Sequence, residues 1–151
     1  MPPTTLLLIR HAEKPDAALG VNGVDARGQA DAAELSVTGW QRSGALPRLF
    51  SPAQPAEMLP RPDVVFAAAS HPRSQRPVRT VELLARVLGL ELRQAHGEAD
   101  LEALVEAIRR CDGVVLVCWR HETIAALARA FVDEPRRYPS GTRNASTWCG
   151  C

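Results

Sequence analysis

Two histidines of this 151-residue chain, His11 and His121, each stand directly after an arginine at the end of an apolar run. A third apolar run, at 63–69, leads into a polar segment that contains Arg76. Phosphoryl transfer depends on positioning and on neutralising the charge of the equatorial phosphate oxygens, and arginine and histidine supply positive charge. A neutral imidazole can also attack phosphorus and be displaced later, which splits one difficult step into two. The residue types at these strand ends therefore predict phosphoryl chemistry.

The elements that must position these residues follow from two alternating patterns. Apolar β-prone runs predict strands at 4–9, 63–69, 90–93 and 113–119. A helix is predicted from 35–39 to about Phe50, with Ser36 or Thr38 as its N-cap. One-faced apolar spacing predicts three further helices, at 78–88, 101–108 and 124–131. The stretch 15–34 is predicted to be mostly loop, and Gly89 to end the second helix.

Buried strands that alternate with one-faced helices are typical of a mainly parallel sheet covered on both sides. We therefore expect a single three-layer α/β/α domain over residues 1–151, with an irregular tail at 135–151. Ligands of such sheets bind outside the carboxyl ends of the strands. The Arg10-His11 pair, the loop with Arg76 and the Arg120-His121 pair should meet at that edge.

Composition limits the classes of function. Lysine and arginine total 18 against 17 aspartate and glutamate, a net charge of +1, which argues against a general nucleic-acid or membrane binder. The four cysteines do not make a disulfide framework at this chain length, and no targeting segment is visible, so a cytoplasmic setting is expected. Cys118 lies inside an apolar run, which argues against a zinc site shared with His121 and the two terminal cysteines. No metal or cofactor is expected.

Four segments, in order along the chain, resemble the motifs of the histidine phosphatase (phosphoglycerate mutase-like) superfamily. They are Leu-Ile-Arg-His-Ala-Glu at 8–13, Leu-Ser-Val-Thr-Gly at 35–39, Ser-Gln-Arg-Pro-Val-Arg-Thr at 74–80 and Val-Leu-Val-Cys-Trp-Arg-His at 115–121. Three residues depart from the usual pattern: Ala12 replaces glycine, Pro77 replaces alanine and Arg79 replaces glutamine. The chain is short for the superfamily and looks like a form without the cap domain of the mutases.

The resemblance implies that His11 is the nucleophile that becomes phosphohistidine. It implies that Arg10, Arg76 and His121 bind the phosphoryl oxygens and stabilise the transition state. Ser70 and Arg73 lie on the same loop as Arg76, where contact with phosphate and ordinary turn and surface roles are equally compatible with the sequence.

The proton donor is left open among four carboxylates. Family members often carry an acidic residue between the second arginine and the second histidine, where this chain has Glu98 and Asp100. Asp100 reads as an N-cap of the following helix, so Glu98 is preferred. Glu122 is a rival, because the acid phosphatase and phytase branch has an acidic residue directly after its second histidine. Glu13 is the fourth candidate.

The resemblance thus implies a metal-independent phosphatase that hydrolyses phosphomonoesters or phosphohistidine, on a small molecule or a phosphoprotein. Two alternatives are a catalytically silent phosphate-binding or regulatory module and a phosphoglycerate mutase. Without a cap, the pocket is expected to be open and to contact little beyond the phosphoryl group. Substrates with good leaving groups, such as aryl phosphates and phosphohistidine, should then react fastest.

Overall fold

The strands form one parallel sheet. The computed structural model describes residue 3 and residues 5–50 and 59–132 of the chain. Its four strands are β1 (Thr5–Arg10), β2 (Val64–Ala67), β3 (Leu92–Arg93) and β4 (Val114–Trp119). They lie in the order β1-β4-β2-β3, and all three neighbouring pairs are parallel. The expectation of a mainly parallel sheet is confirmed for this part of the chain.

Helices cover both faces of this sheet. They are α1 (Val37–Phe50), α2 (Arg76–Leu88), α3 (Leu101–Arg109) and α4 (Ile124–Val132). Alternate residues of a strand point to opposite faces. Val65 and Leu116 accordingly pack in the core with Phe50, Val81 and other residues of α1 and α2. On the other face, strand residues such as Phe66 and Val117 pack with residues of α3 and α4, including Leu104 and Leu127.

The strand order explains why the helices divide in pairs between the two faces. The chain moves across the sheet from β1 to β2 and β3 through α1 and α2, and it returns to β4 through α3. Parallel crossovers are right-handed in nearly all proteins, so reversing the direction of travel moves the connecting helix to the opposite face. The reversal leaves β1, β4 and β2 side by side, and their carboxyl ends share one edge.

The helix ends agree with the predicted signals, with one exception. Ser36 precedes α1, and its hydroxyl accepts a hydrogen bond from the Gly39 N–H at 3.1 Å, as an N-cap does. Gly89 ends α2 in the left-handed conformation with φ of 69°. Asp100 is the N-cap residue of α3, as predicted, but its side chain makes no capping hydrogen bond to that helix. Its carboxylate instead accepts a hydrogen bond from the Gly97 N–H at 3.0 Å.

The predicted strands and helices begin and end within a few residues of the observed ones. The loop at 15–34 contains one short 3₁₀ turn, Ala17–Leu19, as expected. The tail at 135–151, with the last two cysteines, lies outside the described residues. In the part of the chain that the structure describes, no helix is long and apolar enough to cross a membrane.

Candidate active site

His11 is the first residue after β1, and its backbone and ring are both fixed. Its N–H donates to the Trp119 carbonyl at 3.2 Å, which continues the β1–β4 pairing by one residue. The ring Nδ1 lies 2.8 Å from the Ala12 carbonyl oxygen. A carbonyl oxygen only accepts, so this contact places the proton on Nδ1. In the neutral ring, Nε2 then carries the lone pair that a nucleophile needs.

Burial and two arginines favour the neutral form of this ring. His11 is 8% exposed, and burial is the main reason why its pKa lies below the ordinary value of 6.5. The hydrogen bond with Ala12 and the charge of Glu122 raise the pKa, whereas the charges of Arg76 and Arg10 lower it further. The net decrease extends the pH range in which Nε2 is unprotonated. The structure thus brings Arg10 and Arg76 into the electrostatic surroundings of His11.

Arg76 is the first residue of α2, the helix that follows the β2 edge. One Nη donates to the Ala32 carbonyl at 3.1 Å. Its Nε is shielded from solvent and has no hydrogen-bond partner among the described residues. Burial is the main cause that lowers the Arg76 pKa, and the charge of Arg120 adds to the effect. Arg73, by contrast, is exposed in the turn between His71 and Ser74.

A partly buried ion pair anchors the loop that contacts Arg76. Glu34 is 3% exposed, and both of its carboxylate oxygens lie 3.1 Å from the guanidinium of Arg79 on α2. These hydrogen bonds raise the pKa of Arg79. Next to the pair, the Gln75 N–H donates to the Ala33 carbonyl at 2.9 Å. Arg79 therefore joins the 31–36 loop to the start of α2.

Thr80 joins the segment after His11 to the same helix. Its hydroxyl accepts a hydrogen bond from the Ala12 N–H at 2.9 Å and donates to the Arg76 carbonyl at 2.8 Å. Gly39 of α1 packs on the other side of this segment, where a Cβ would come within 2.5 Å of the Glu13 carbonyl oxygen. The glycine of the Leu-Ser-Val-Thr-Gly motif is therefore required by close approach of α1 to the residues after His11.

The second histidine lies in the turn between β4 and α4. The side chain of His121 is 44% exposed, and its Nδ1 is 3.1 Å from Glu122 Oε2. His121 and His11 belong to the same sheet edge, because they follow the neighbouring strands β4 and β1. The interaction that the structure shows for the His121 ring is with Glu122.

The four candidate proton donors differ in surroundings. The charge of Glu122 raises the pKa values of both His11 and Arg76, so this carboxylate acts electrostatically on both side chains. Glu98 lies 3.7 Å from Arg120 Nε at the same sheet edge. One oxygen of Glu13 pairs with Arg42 Nε at 2.7 Å, and the other is shielded without a partner among the described residues. Asp100 is bonded to Gly97. Of the four carboxylates, Glu122 contributes to the His11 pKa, as the smallest of the causes that shift it.

A cleft of about 540 Å³ opens beside His11. Its apolar lining comes mainly from β1 and α1, with Ile9, Leu46, Leu49, Phe50 and Leu59. Its charged lining comprises Arg10, Glu13, Lys14, Asp16 and Arg42. Leu49 and Leu59 are 40% and 43% exposed. The sequence predicted an open pocket that contacts little beyond the phosphoryl group, whereas this cleft offers a larger surface because residues of α1 wall one side of it.

Cys118 is excluded from the chemistry of this edge by its position. It is fully buried in β4, and desolvation raises the pKa of its thiol to about 12, although a hydrogen bond with Thr80 lowers it. A thiol with that pKa stays protonated and behaves as a small apolar core residue. The prediction that Cys118 is a buried strand residue is confirmed.

Known proteins do not identify this site. Comparisons with protein-family models, with curated proteins and with solved structures found no match.

The sequence predicted no individual contact for three residues of the site: Thr80, Glu34 and Arg120. Thr80 stands in a motif that was compared for its arginine, and Arg120 stands in the Arg-His pair that was noted for its histidine. Both were therefore visible as positions but not as contacts. Glu34 lies in a polar stretch with several acidic residues, and no spacing distinguishes the one that pairs with Arg79.

Proposed function

We propose that this protein is a phosphatase with a phosphoglycerate mutase-like fold, which hydrolyses phosphomonoesters or phosphohistidine through a phosphorylated His11. The observation that carries the proposal is the state of His11. It is buried beside Arg10 and Arg76, its Nδ1 bonds to the Ala12 carbonyl, and Nε2 is left as the nucleophilic atom. The four motifs that resemble the histidine phosphatase superfamily support the same reaction.

In the proposed first step, His11 Nε2 attacks phosphorus and the bond to the leaving group breaks. Arg10, Arg76 and His121 bind the phosphoryl oxygens, whose charge they neutralise in the transition state. An alkoxide leaving group takes a proton from a carboxylic acid, for which Glu122 and Glu98 are the candidates at this edge. In the second step, water attacks the phosphohistidine, which releases inorganic phosphate and regenerates His11. Because arginines supply the positive charge, activity is expected to survive EDTA.

The cleft beside His11 supports a substrate with an apolar leaving group. Contact between its exposed leucines and an apolar group of the substrate would bury apolar surface and displace water, which favours binding. Aryl phosphates combine such a group with good leaving ability. This extends the expectation from the sequence, which rested on leaving-group chemistry alone.

Turnover and covalent labelling test the proposal together. Wild-type protein should hydrolyse 4-nitrophenyl phosphate, and rapid quench with a labelled substrate should trap acid-labile, base-stable phosphate on the protein. His11→Ala should abolish both signals. His71→Ala is the matched control, because His71 is exposed on the neighbouring loop. Label that persists in His11→Ala would overturn the assignment of the nucleophile.

A second candidate is a phosphate-binding module without turnover. It is favoured by the exposure of His121 and by its pairing with Glu122. A module would bind inorganic phosphate but show neither turnover nor trapped label in the experiment above.

A further inference from the structure

Arg120 directly follows β4, the strand that lies between β1 and β2 in the sheet. It therefore stands between the residues that follow β1, which begin with His11, and those that follow β2. Its side chain is 19% exposed. One Nη donates to the Ala69 carbonyl at 3.1 Å, just beyond the end of β2. The contact holds the guanidinium at the carboxyl edge of the sheet. The resemblance to histidine phosphatases gives Arg120 no role.

The guanidinium of Arg120 is incompletely paired. Its Nε is shielded from solvent and has no hydrogen-bond partner among the described residues, and the nearest carboxylate oxygen, on Glu98, is 3.7 Å away. Arg76 Nε is in the same state. A buried N–H without an acceptor is costly, especially on a charged group, so such an atom requires an explanation, and a bound ion or ligand is one.

These two arginines also interact with each other. The charge of Arg120 is one of the causes that lower the Arg76 pKa, so the two guanidinium groups are close enough to repel. Juxtaposed like charges destabilise the unliganded protein, and an anion between them converts the repulsion into attraction. The anion would also supply oxygen acceptors for both shielded Nε–H groups, as phosphate does when it binds arginine.

We propose that Arg76 and Arg120 together form a binding site for the phosphoryl group, in which Arg120 is a further catalytic residue that binds its oxygens. The inference rests on the proposed function, because it places the phosphoryl group of that reaction. The site takes a tetrahedral oxyanion of phosphate type. Arg120 approaches it from the end of β4 and Arg76 from the start of α2, so the oxyanion is held between that strand end and that helix start, beside His11.

Binding of inorganic phosphate to the full chain, measured by isothermal titration calorimetry, tests the site apart from turnover. Arg120→Gln and Arg76→Gln should each weaken phosphate binding roughly 10- to 100-fold, the effect of losing a hydrogen bond to a charged group. Arg73→Gln removes the same charge from an exposed position on the neighbouring loop and should change the affinity less than about twofold, as expected for a screened surface charge. Arg120→Gln should also lower kcat/KM for 4-nitrophenyl phosphate about 10²- to 10³-fold.

Two further variants separate binding from a structural role. Arg120→Lys keeps the charge but lacks the planar fork, so it should bind phosphate more weakly than wild type and more tightly than Arg120→Gln. If Arg120→Gln fails to fold, Arg120→Lys takes its place in the binding measurement. Phosphate affinity equal to that of the wild type, in either variant that folds, overturns the inference. If Arg120 only pairs with Glu98, then Glu98→Gln and Arg120→Gln will lower Tm equally and leave phosphate affinity unchanged, which also overturns it.

The proposed function and this inference fail in different ways. If the protein shows neither turnover nor a phosphoenzyme, but its phosphate affinity still depends on Arg76 and Arg120, the proposed phosphatase activity is wrong and the proposed binding site is supported. If turnover requires His11 but phosphate affinity does not depend on Arg120, the proposed phosphatase activity is supported and the proposed binding site is wrong.

Discussion

The Ala12 N–H donates to the Thr80 hydroxyl at 2.9 Å, across 68 positions of the chain. The same hydroxyl donates to the Arg76 carbonyl at 2.8 Å. One small side chain thereby connects Ala12, the residue after His11, with the first residue of α2. We expect the separation between His11 and the guanidinium of Arg76 to depend on this connection, since His11 follows β1 and Arg76 begins α2.

Thr80→Val tests that connection, because valine has a similar shape but neither donates nor accepts. The Ala12 N–H loses its acceptor in a part-buried position, so the free energy of unfolding should fall by about 1–3 kcal/mol. kcat/KM for an aryl phosphate should fall as well. Thr38→Val is the control, since Thr38 is exposed on α1. Equal urea midpoints and equal activities for the two variants would contradict the role of Thr80.

Gly39 and Gly44 form a matched pair in α1. A Cβ on Gly39 would meet the Glu13 carbonyl at 2.5 Å, whereas a Cβ on Gly44 would meet nothing within 4 Å. Gly44→Ala should stabilise the protein by about 0.5–1 kcal/mol through helix propensity. Gly39→Ala should destabilise it by about 1–3 kcal/mol and displace the segment after His11. Thermal unfolding of both variants tests this prediction. If the two substitutions shift Tm in the same direction, Gly39 is not needed for a close approach to Glu13.

The pH dependence of kcat/KM should report the ionisation of His11. Protonated imidazole cannot attack phosphorus, so the acid limb marks its deprotonation in the free enzyme. Since burial and two arginines lower this pKa, the limb should lie below pH 6.5. Arg76→Gln removes one of the lowering charges and should move the limb towards higher pH, despite its lower rate. A limb that stays in place or moves down would show that Arg76 does not act on His11.

The same shift affects stability with a definite sign. The folded protein disfavours the proton on His11, whereas the unfolded chain accepts it near pH 6.5. Stability should therefore fall as the pH decreases from 6.5 towards the lower pKa of the folded state. His11→Asn should show a smaller decrease over this window, which urea unfolding at several pH values will measure.

Glu122→Gln and Glu98→Gln should separate the two candidate proton donors. Alkyl phosphates need protonation of the leaving oxygen and aryl phosphates need it less, so loss of the acid should affect alkyl substrates more, by about 10²- to 10⁴-fold. We expect this selective loss in Glu122→Gln, because the charge of Glu122 acts on His11. A selective loss in Glu98→Gln instead would return the role to the residue preferred from the sequence.

Substitution of Leu49 tests whether the apolar cleft holds the leaving group. Leu49→Ser should lower kcat/KM for 2-naphthyl phosphate about 3- to 10-fold, as expected for the loss of part of one leucine's apolar contact. Acetyl phosphate, whose leaving group is small, should be little affected. Val87→Ser is the control, because Val87 is an exposed apolar residue on α2 that does not line the cleft. An equal effect on both substrates would show that the cleft does not hold the leaving group.

Much of this architecture could be predicted from the chain alone. Apolar runs and one-faced spacings located the strands and helices, because burial on one or both faces imposes its period directly on the sequence. Ser36 and Gly89 marked helix ends, since capping needs particular side chains or a positive φ. The meeting of His11, Arg76 and Arg120 at one edge also followed, because parallel strands place their carboxyl ends together.

The pairing of side chains at that edge was decided only by the tertiary structure. The approach of Thr80 to Ala12, the anchoring of Glu34 by Arg79 and the charge of Glu122 on His11 all depend on contacts between distant parts of the chain. Such contacts follow from the strand order β1-β4-β2, from register and from rotamers, none of which leaves a period in the sequence. Residue types therefore determined which chemistry is available, and packing determined which of those residues act on one another.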